Sequence, residues 1–401
     1  MNPRLDSLNP YPFERLRALF EGIAPPADRE PVHLGIGEPK QAPPAFVLDT
    51  IDAHRADFAR YPTTGGTGAL QEACAQWAES RFGLDSGSLT PGQRIIPVNG
   101  TREALFGIAQ ALVGGKTEPA VAMPNPLYQI YEGAAQFAGA EPVYVAVDPA
   151  TGLPDYTRLP EATLQRLELV YVCSPANPTG GVMSAAGYRE LLALADRYDF
   201  VIAADECYSE IYPDETNPPV GLLEVAAAEG RDDFRRCLAF HSLSKRSNLP
   251  GIRSGFVAGD GELIRQFLRL RTYQGNATPL PLQAGAVAAW GDEEHVRANR
   301  EAYRERFRTV LEILTPVLDV AAPAGGFYLW PKVPGGGETF ARELYAREGI
   351  TVLPGAYLSR ETVDGHNPGA DFVRIALVDE LERCVDAAWR IRGVAEALQN
   401  G

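Results

Sequence analysis

FVIAADE, residues 200–206, is an apolar run that stops at an aspartate. Its apolar residues stand side by side instead of alternating with polar ones, as in a strand buried on both faces. Six further runs share that texture: RIIPV (94–98), PAVAMP (119–124), PVYVAV (142–147), LVYVCSP (169–175), CLAFHS (237–242) and GFVAG (255–259). Stretches with helical periodicity lie among them, at 68–82, 102–113, 127–138, 184–198 and 220–230. Strand–helix alternation predicts an α/β fold: a large, mostly parallel, seven-stranded sheet with helices on both faces.

The pattern differs at the two ends. The first 30 residues read as an arm with a short amphipathic helix, and VHLGIGEP (32–39) as a short strand stopped by Gly and Pro. After a long helical region at 261–315, GGFYLWPKV (325–333), GITVLPG (349–355) and DFVRIALV (371–378) read as a smaller α+β domain. VPGGGE (333–338) reads as a hairpin or exposed loop, and a final helix covers roughly 380–397. The expected division is 1–45 (arm and part of the small domain), 46–285 (large domain) and 286–401 (C-terminal small domain).

A chain of 401 residues suits two domains of an enzyme. Its net charge of −15 argues against a nucleic-acid or anionic-membrane surface, though not against a local basic pocket. The 5 cysteines form no CxxC pair and are odd in number, which speaks for a reducing compartment and against a disulfide scaffold or zinc module. No metal is expected. The N-terminal residues carry no apolar signal core and no 18-residue apolar run follows, so the expected location is the cytoplasm.

In open α/β sheets the site lies at the C-terminal edge of the strands. Three runs deliver polar residues there: LVYVCSP leads into Asn177, FVIAADE into Asp205 and Tyr208, and CLAFHS into Ser242, Ser244 and Lys245. Taken alone, Asp205 could cap a helix, Asn177 could make a turn and Lys245–Arg246 could be a solvated basic pair. Together they suit one cofactor. A lysine amine whose pKa is lowered by burial and nearby cations can hold an aldehyde. A buried aspartate can keep a heterocyclic nitrogen protonated. Asn177 and Tyr208 can donate to a phenolate-type oxygen. Ser242, Ser244 and Arg253 suit a phosphate monoester, as do Gly100 and Thr101 at a helix start. Tyr128 is a candidate stacking ring. These parts describe a pyridoxal phosphate site.

With these residues in view, the sequence resembles the class I/II aminotransferases of pyridoxal phosphate fold type I over nearly its whole length. GIGEP (35–39), YPTTGG (61–66), NPTGG (177–181), DECYSEIY (205–212), SLSKRSNLPGIRSGF (242–256) and FVRIAL (372–377) stand in family order. The resemblance implies that Lys245 holds the cofactor as a Schiff base and shuttles protons, and that Asp205 partners the pyridine nitrogen. It implies that Asn177 and Tyr208 donate to the 3′-oxygen, and that Gly100, Thr101, Ser242, Ser244 and Arg253 hold the phosphate. Tyr128 resembles the stacking aromatic. Arg374 matches the arginine that grips the substrate α-carboxylate, with Gly37 beside it. Tyr61 resembles the tyrosine that reaches a neighbouring subunit's phosphate, which implies a homodimer with shared sites. The implied reaction is a ping-pong exchange through pyridoxamine phosphate, with glutamate and 2-oxoglutarate as the usual pair.

MNPRLDSLNPYPFERLRAL, HLGIGEPK and SLSKRSNLPGIRSGF further resemble the proteobacterial succinyldiaminopimelate aminotransferases of lysine and diaminopimelate biosynthesis. That resemblance implies N-succinyl-LL-2,6-diaminopimelate as substrate. Its distal carboxylate and acyl group call for cationic or amide partners beyond Arg374, and Arg102, Arg246, Asn248 and Arg271 are the candidates near the mouth. Alternatives are aspartate, alanine, aromatic or N-acetylornithine transamination, or C–S elimination on the same fold. A pyridoxal phosphate-binding transcriptional regulator is disfavoured by the acidic charge and by the absence of a DNA-binding module ahead of GIGEP.

Overall fold

The computed structural model describes residues 2–400. All seven expected runs are strands of one sheet, ordered Ile95–Val98, Gly255–Gly259, Cys237–Ser242, Val201–Asp205, Leu167–Cys173, Ala120–Asn125 and Glu141–Asp148. The expected count is corrected to eight, because the two-residue strand Leu153–Pro154 pairs antiparallel with Val147 and Asp148 at one edge. The five neighbouring strands from Cys237–Ser242 to Glu141–Asp148 run parallel to one another. Gly255–Gly259 is antiparallel to both of its neighbours.

The interior strands are buried from both sides, which is why they carry unbroken apolar runs. The expectation is corrected for PVYVAV, whose strand lies near the sheet edge, where only Val145 of Glu141–Asp148 is buried. All seven residues of Leu167–Cys173 are buried. On one face Ile96, Met123, Leu169 and Leu238 pack against helices Thr101–Leu112, Gln129–Ala138 and Gly261–Gln274 through Leu105, Ile108, Tyr131 and Phe267. On the other face Val170, Ile202 and Ala239 meet Gly68–Phe82, Ala185–Tyr198 and Leu280–Trp290 through Cys74, Leu191 and Trp290. Helix boundaries follow local chemistry. Thr67 caps Gly68–Phe82 by accepting from Leu70 N, and the left-handed Gly83 ends it. Ser184 and Asp260 cap their helices in the same way.

A second core gathers Val32, Leu34, Val310, Leu329, Phe340, Ile350, Ile375 and Ile391. Val373–Ala376 lies between Tyr328–Leu329 and Leu353–Pro354, antiparallel to both. Val32–His33 pairs in parallel with Ile350–Thr351, so the N-terminal segment joins this core. VPGGGE is a loop that runs into the helix Gly337–Glu348. The helix Glu294–Leu314 spans the two regions: Asn299 touches the Lys245 turn, while Phe307, Val310 and Leu314 enter the second core. No helix among the described residues is long and apolar enough to cross a membrane.

Candidate active site

Strand register brings the predicted polar residues to one rim. Cys173 stands beside Asp205, and Asp205 beside Phe240. The chain then leaves these strands for Asn177, Tyr208 and the Ser242–Lys245 turn. The rim opens into two adjoining cavities of about 150 and 570 Å3 that share Gly37, Thr101, Tyr128 and Lys245. Asn177, Asp205, Tyr208 and Arg374 line the smaller cavity. Ser242, Ser244 and Arg253 line the larger. Gly100 underlies Arg253, whereas Tyr61 lies outside the cleft, fully exposed on the surface of this chain.

Lys245 lies in the short helical turn Leu243–Arg246, capped by Ser242 Oγ, which accepts from Ser244 N at 3.1 Å. Its amine donates to the Gly37 carbonyl and faces the Phe327 ring, 5.2 Å from the centroid. Burial, with Arg374 adding to it, lowers the amine pKa to about 8. Asp205 is buried, accepts from Tyr131 Oη at 2.6 Å and Cys207 N at 3.3 Å, and forms no ion pair among the described residues. Desolvation raises its pKa despite those donors.

Arg253 donates to Pro250 O at 2.9 Å and Asn99 O at 3.3 Å, which lays its guanidinium over the N-terminus of helix Thr101–Leu112. Gly100, at φ 78°, permits this approach, since a Cβ there would collide with the guanidinium. Arg374 is buried, donating to Asn177 Oδ1 at 2.9 Å and Gly35 O at 2.8 Å. Its Nε has no partner, which leaves donor capacity for an anion. The Arg374–Asn177 bond also fixes the Asn177 amide with its NH2 free to donate elsewhere.

Pyridoxal phosphate fits this donor set. The buried carboxylate lacks a cation that a pyridinium would supply. The helix start, hydroxyls and Arg253 suit a phosphate. An amine with a lowered pKa suits an aldehyde.

Of the four residues expected at the mouth, only Arg102 is there, where its Nε donates to Tyr128 Oη at 2.9 Å. Arg246 is packed between Trp77 and Trp290, 5.3 and 5.0 Å from their centroids, and paired with Glu293. Arg271 is buried against Pro97 O and Glu103. Asn248 bonds Gln41 and Asn299. Buried partners distant in sequence capture all three.

Three contributors escaped the sequence reading. Tyr131 steadies Asp205, and its spacing of three from Tyr128 on one helix was the available signal. Cys207 meets Thr101 Oγ1 at 2.9 Å. Tyr328 lies under Arg374, and nothing in GGFYLWPKV distinguished it from a core tyrosine.

Residues 29–387 match the family model described as aminotransferase class I and II. The crystal structure of an aminotransferase from Neisseria meningitidis is 45% identical, with a TM-score of 0.93 over 98% of this chain and 100% of that one. The 4-dedimethylamino-4-oxo-anhydrotetracycline transaminase OxyQ of Streptomyces rimosus is 36% identical over 90% of this chain and 92% of its own length. An LL-diaminopimelate aminotransferase of Nitratidesulfovibrio vulgaris is 30% identical over 97% of both. The chain belongs to the class I and II aminotransferases and is a pyridoxal phosphate-dependent transaminase of the branch that holds the diaminopimelate and aspartate enzymes.

Proposed function

We propose that the protein exchanges an amino group between N-succinyl-LL-2,6-diaminopimelate and 2-oxoglutarate. Arg102 is the observation that carries this reading. It is exposed at the cleft, oriented by Tyr128, and forms no ion pair among the described residues. The reacting end of the substrate carries an α-carboxylate, which Arg374 would hold with the Gly37 backbone beside it. The other end of the succinylated substrate carries an amide and two carboxylates, and would bring negative charge toward Arg102. A free diaminopimelate would bring an ammonium beside its distal carboxylate to the same end, so it offers the guanidinium no net negative charge. The γ-carboxylate of glutamate would use the same cation in the other half-reaction.

When bound, the cofactor supplies an electron sink that acidifies the substrate Cα–H. Lys245 would anchor it and, once released as a neutral amine, take the Cα proton at Nζ. Asp205 would hold the pyridine nitrogen protonated, with Tyr131 fixing the carboxylate. Asn177 and Tyr208 would donate to the 3′-oxygen, and Tyr128 would cover the ring. Thr101, Ser242, Ser244, Arg253 and the Gly100 backbone would bind phosphate, joined by Tyr61 from a second copy of the chain.

Arg102→Ala tests the substrate reading. KM for the succinylated substrate and for glutamate is expected to rise roughly tenfold, while that for alanine stays unchanged. An equal effect on alanine, or none on the succinylated substrate, removes the basis of the assignment.

A further inference from the structure

We propose that Tyr328 is a positioning residue with two separable tasks: its ring seats Arg374, and its hydroxyl orients Tyr208. The proposal rests on the reading that Arg374 takes the α-carboxylate and Tyr208 faces the cofactor's 3′-oxygen.

The fold places Tyr328 between these two groups. Its strand pairs antiparallel with that of Arg374, with Tyr328 opposite Ala376. Side chains two apart on a strand share a face, so Arg374 projects on the same side as Ala376 and lies diagonal to Tyr328. The small Ala376 leaves the space in which the guanidinium lies over the Tyr328 ring, 4.4 Å from its centroid. A cation over an aromatic face is held by the ring quadrupole, more strongly when desolvated, and both residues are buried.

The hydroxyl end makes the second connection. Tyr328 Oη and Tyr208 Oη are 3.0 Å apart, and both side chains are buried. Each phenol has one proton to donate. The reading that Tyr208 faces the cofactor's 3′-oxygen commits the Tyr208 proton to that oxygen, so the bond between the two phenols is made by the Tyr328 proton. With Tyr328 donating to the Tyr208 oxygen, the Tyr208 proton is left for an acceptor in the cleft. Gly37 fits this arrangement, since a Cβ there would collide with the Tyr328 hydroxyl and come within 3.0 Å of Phe327. The glycine whose carbonyl accepts from the Lys245 amine thus also makes room for that hydroxyl.

The two tasks are read by different measurements on purified holoenzymes of wild type, Tyr328→Phe, Tyr328→Leu, Tyr208→Phe and Arg374→Ala. Cofactor content and the visible band of the lysine-linked cofactor verify that each variant folds. The pH midpoint of that band reports donation to the 3′-oxygen, because donors to its anionic form lower the midpoint. Tyr328→Phe keeps the ring and loses the hydroxyl. Its midpoint is expected to move up by about half a pH unit, while KM for glutamate and alanine changes by less than about twofold. Tyr328→Leu loses both, and KM for both amino acids is expected to rise roughly fivefold or more in addition. An unchanged midpoint in Tyr328→Phe overturns the hydroxyl task when Tyr208→Phe does shift it. If Tyr208→Phe is equally silent, the proposal falls because Tyr208 does not face the cofactor oxygen at all. An unchanged KM in Tyr328→Leu overturns the ring task if Arg374→Ala raises it. If Arg374→Ala does not, it is the reading of Arg374 that falls.

Discussion

The Lys245 amine is enclosed by the Gly37 carbonyl, the Phe327 ring and the field of Arg374. Burial disfavours its charged form, so it loses its proton near pH 8 where an ordinary lysine does so near 10.5. In the cofactor-free protein, acylation of this one lysine by a limiting amine reagent is therefore expected to rise with pH through a midpoint near 8, well before that of an ordinary lysine near 10.5. A peptide map that shows Lys245 titrating with the bulk would contradict this. Arg374→Ala should raise KM for every α-amino acid about a hundredfold or more, whatever its side chain, because a charge-assisted pair is lost from a buried site. Steady-state kinetics with glutamate and alanine side by side check it. At this scale the sequence was most legible where a residue ends a buried strand, as Asp205 does and as Lys245 nearly does. It was least legible for Arg246, whose role depends on Trp77 and Trp290, more than 40 residues away on the chain or further.

Elements hold the site through a few buried contacts. Asn299, on the helix Glu294–Leu314, donates to the carbonyls of Lys245 and Arg246 at 3.2 and 3.3 Å and accepts from Asn248 at 3.0 Å. His295, one turn earlier, meets Ser247 Oγ at 2.9 Å. The turn that carries Lys245 is thus clamped by a helix whose other end lies in the second core. Asn299→Ala leaves buried carbonyls without donors and should cost about 2 kcal/mol of stability. The check is denaturant unfolding of the holoenzyme, and unaltered unfolding would deny the clamp. The strands of the large sheet were visible in the sequence because burial on both faces leaves an apolar run. Strand direction was not, since GFVAG would read the same in either direction. Nor was Leu153–Pro154, two residues that become a strand only because Glu141–Asp148 offers an edge.

The whole chain is acidic, yet its cleft collects Arg102, Lys245, Arg253 and Arg374. A cationic cleft in an acidic protein suits anionic small molecules and gives nucleic acid no broad surface. Phe58 and Tyr61 are exposed close together in sequence, at 60 and 100%. We propose that a second copy of the chain covers this segment and takes Tyr61 into its phosphate site. Sedimentation should then show a homodimer. Subunits carrying Lys245→Ala, mixed and reassembled with subunits carrying Tyr61→Ala, should recover about a quarter of wild-type activity, because half of the random dimers contain one intact site of two. Activity no greater than that of the separate variants would place Tyr61 in its own subunit or outside the site.

The most direct measurement is a set of single half-reactions followed by the loss of the visible band. N-succinyl-LL-2,6-diaminopimelate, unacylated LL-diaminopimelate, aspartate, tyrosine and alanine are each offered to the cofactor-loaded enzyme. The proposed substrate reading, with Arg374 and Arg102 both lining the cleft, predicts that the succinylated substrate gives the highest ratio of rate to half-saturating concentration. A clear preference for aspartate, tyrosine or free diaminopimelate would contradict the substrate reading, and a protein that forms no lysine-linked band would contradict the placement of the cofactor at Lys245.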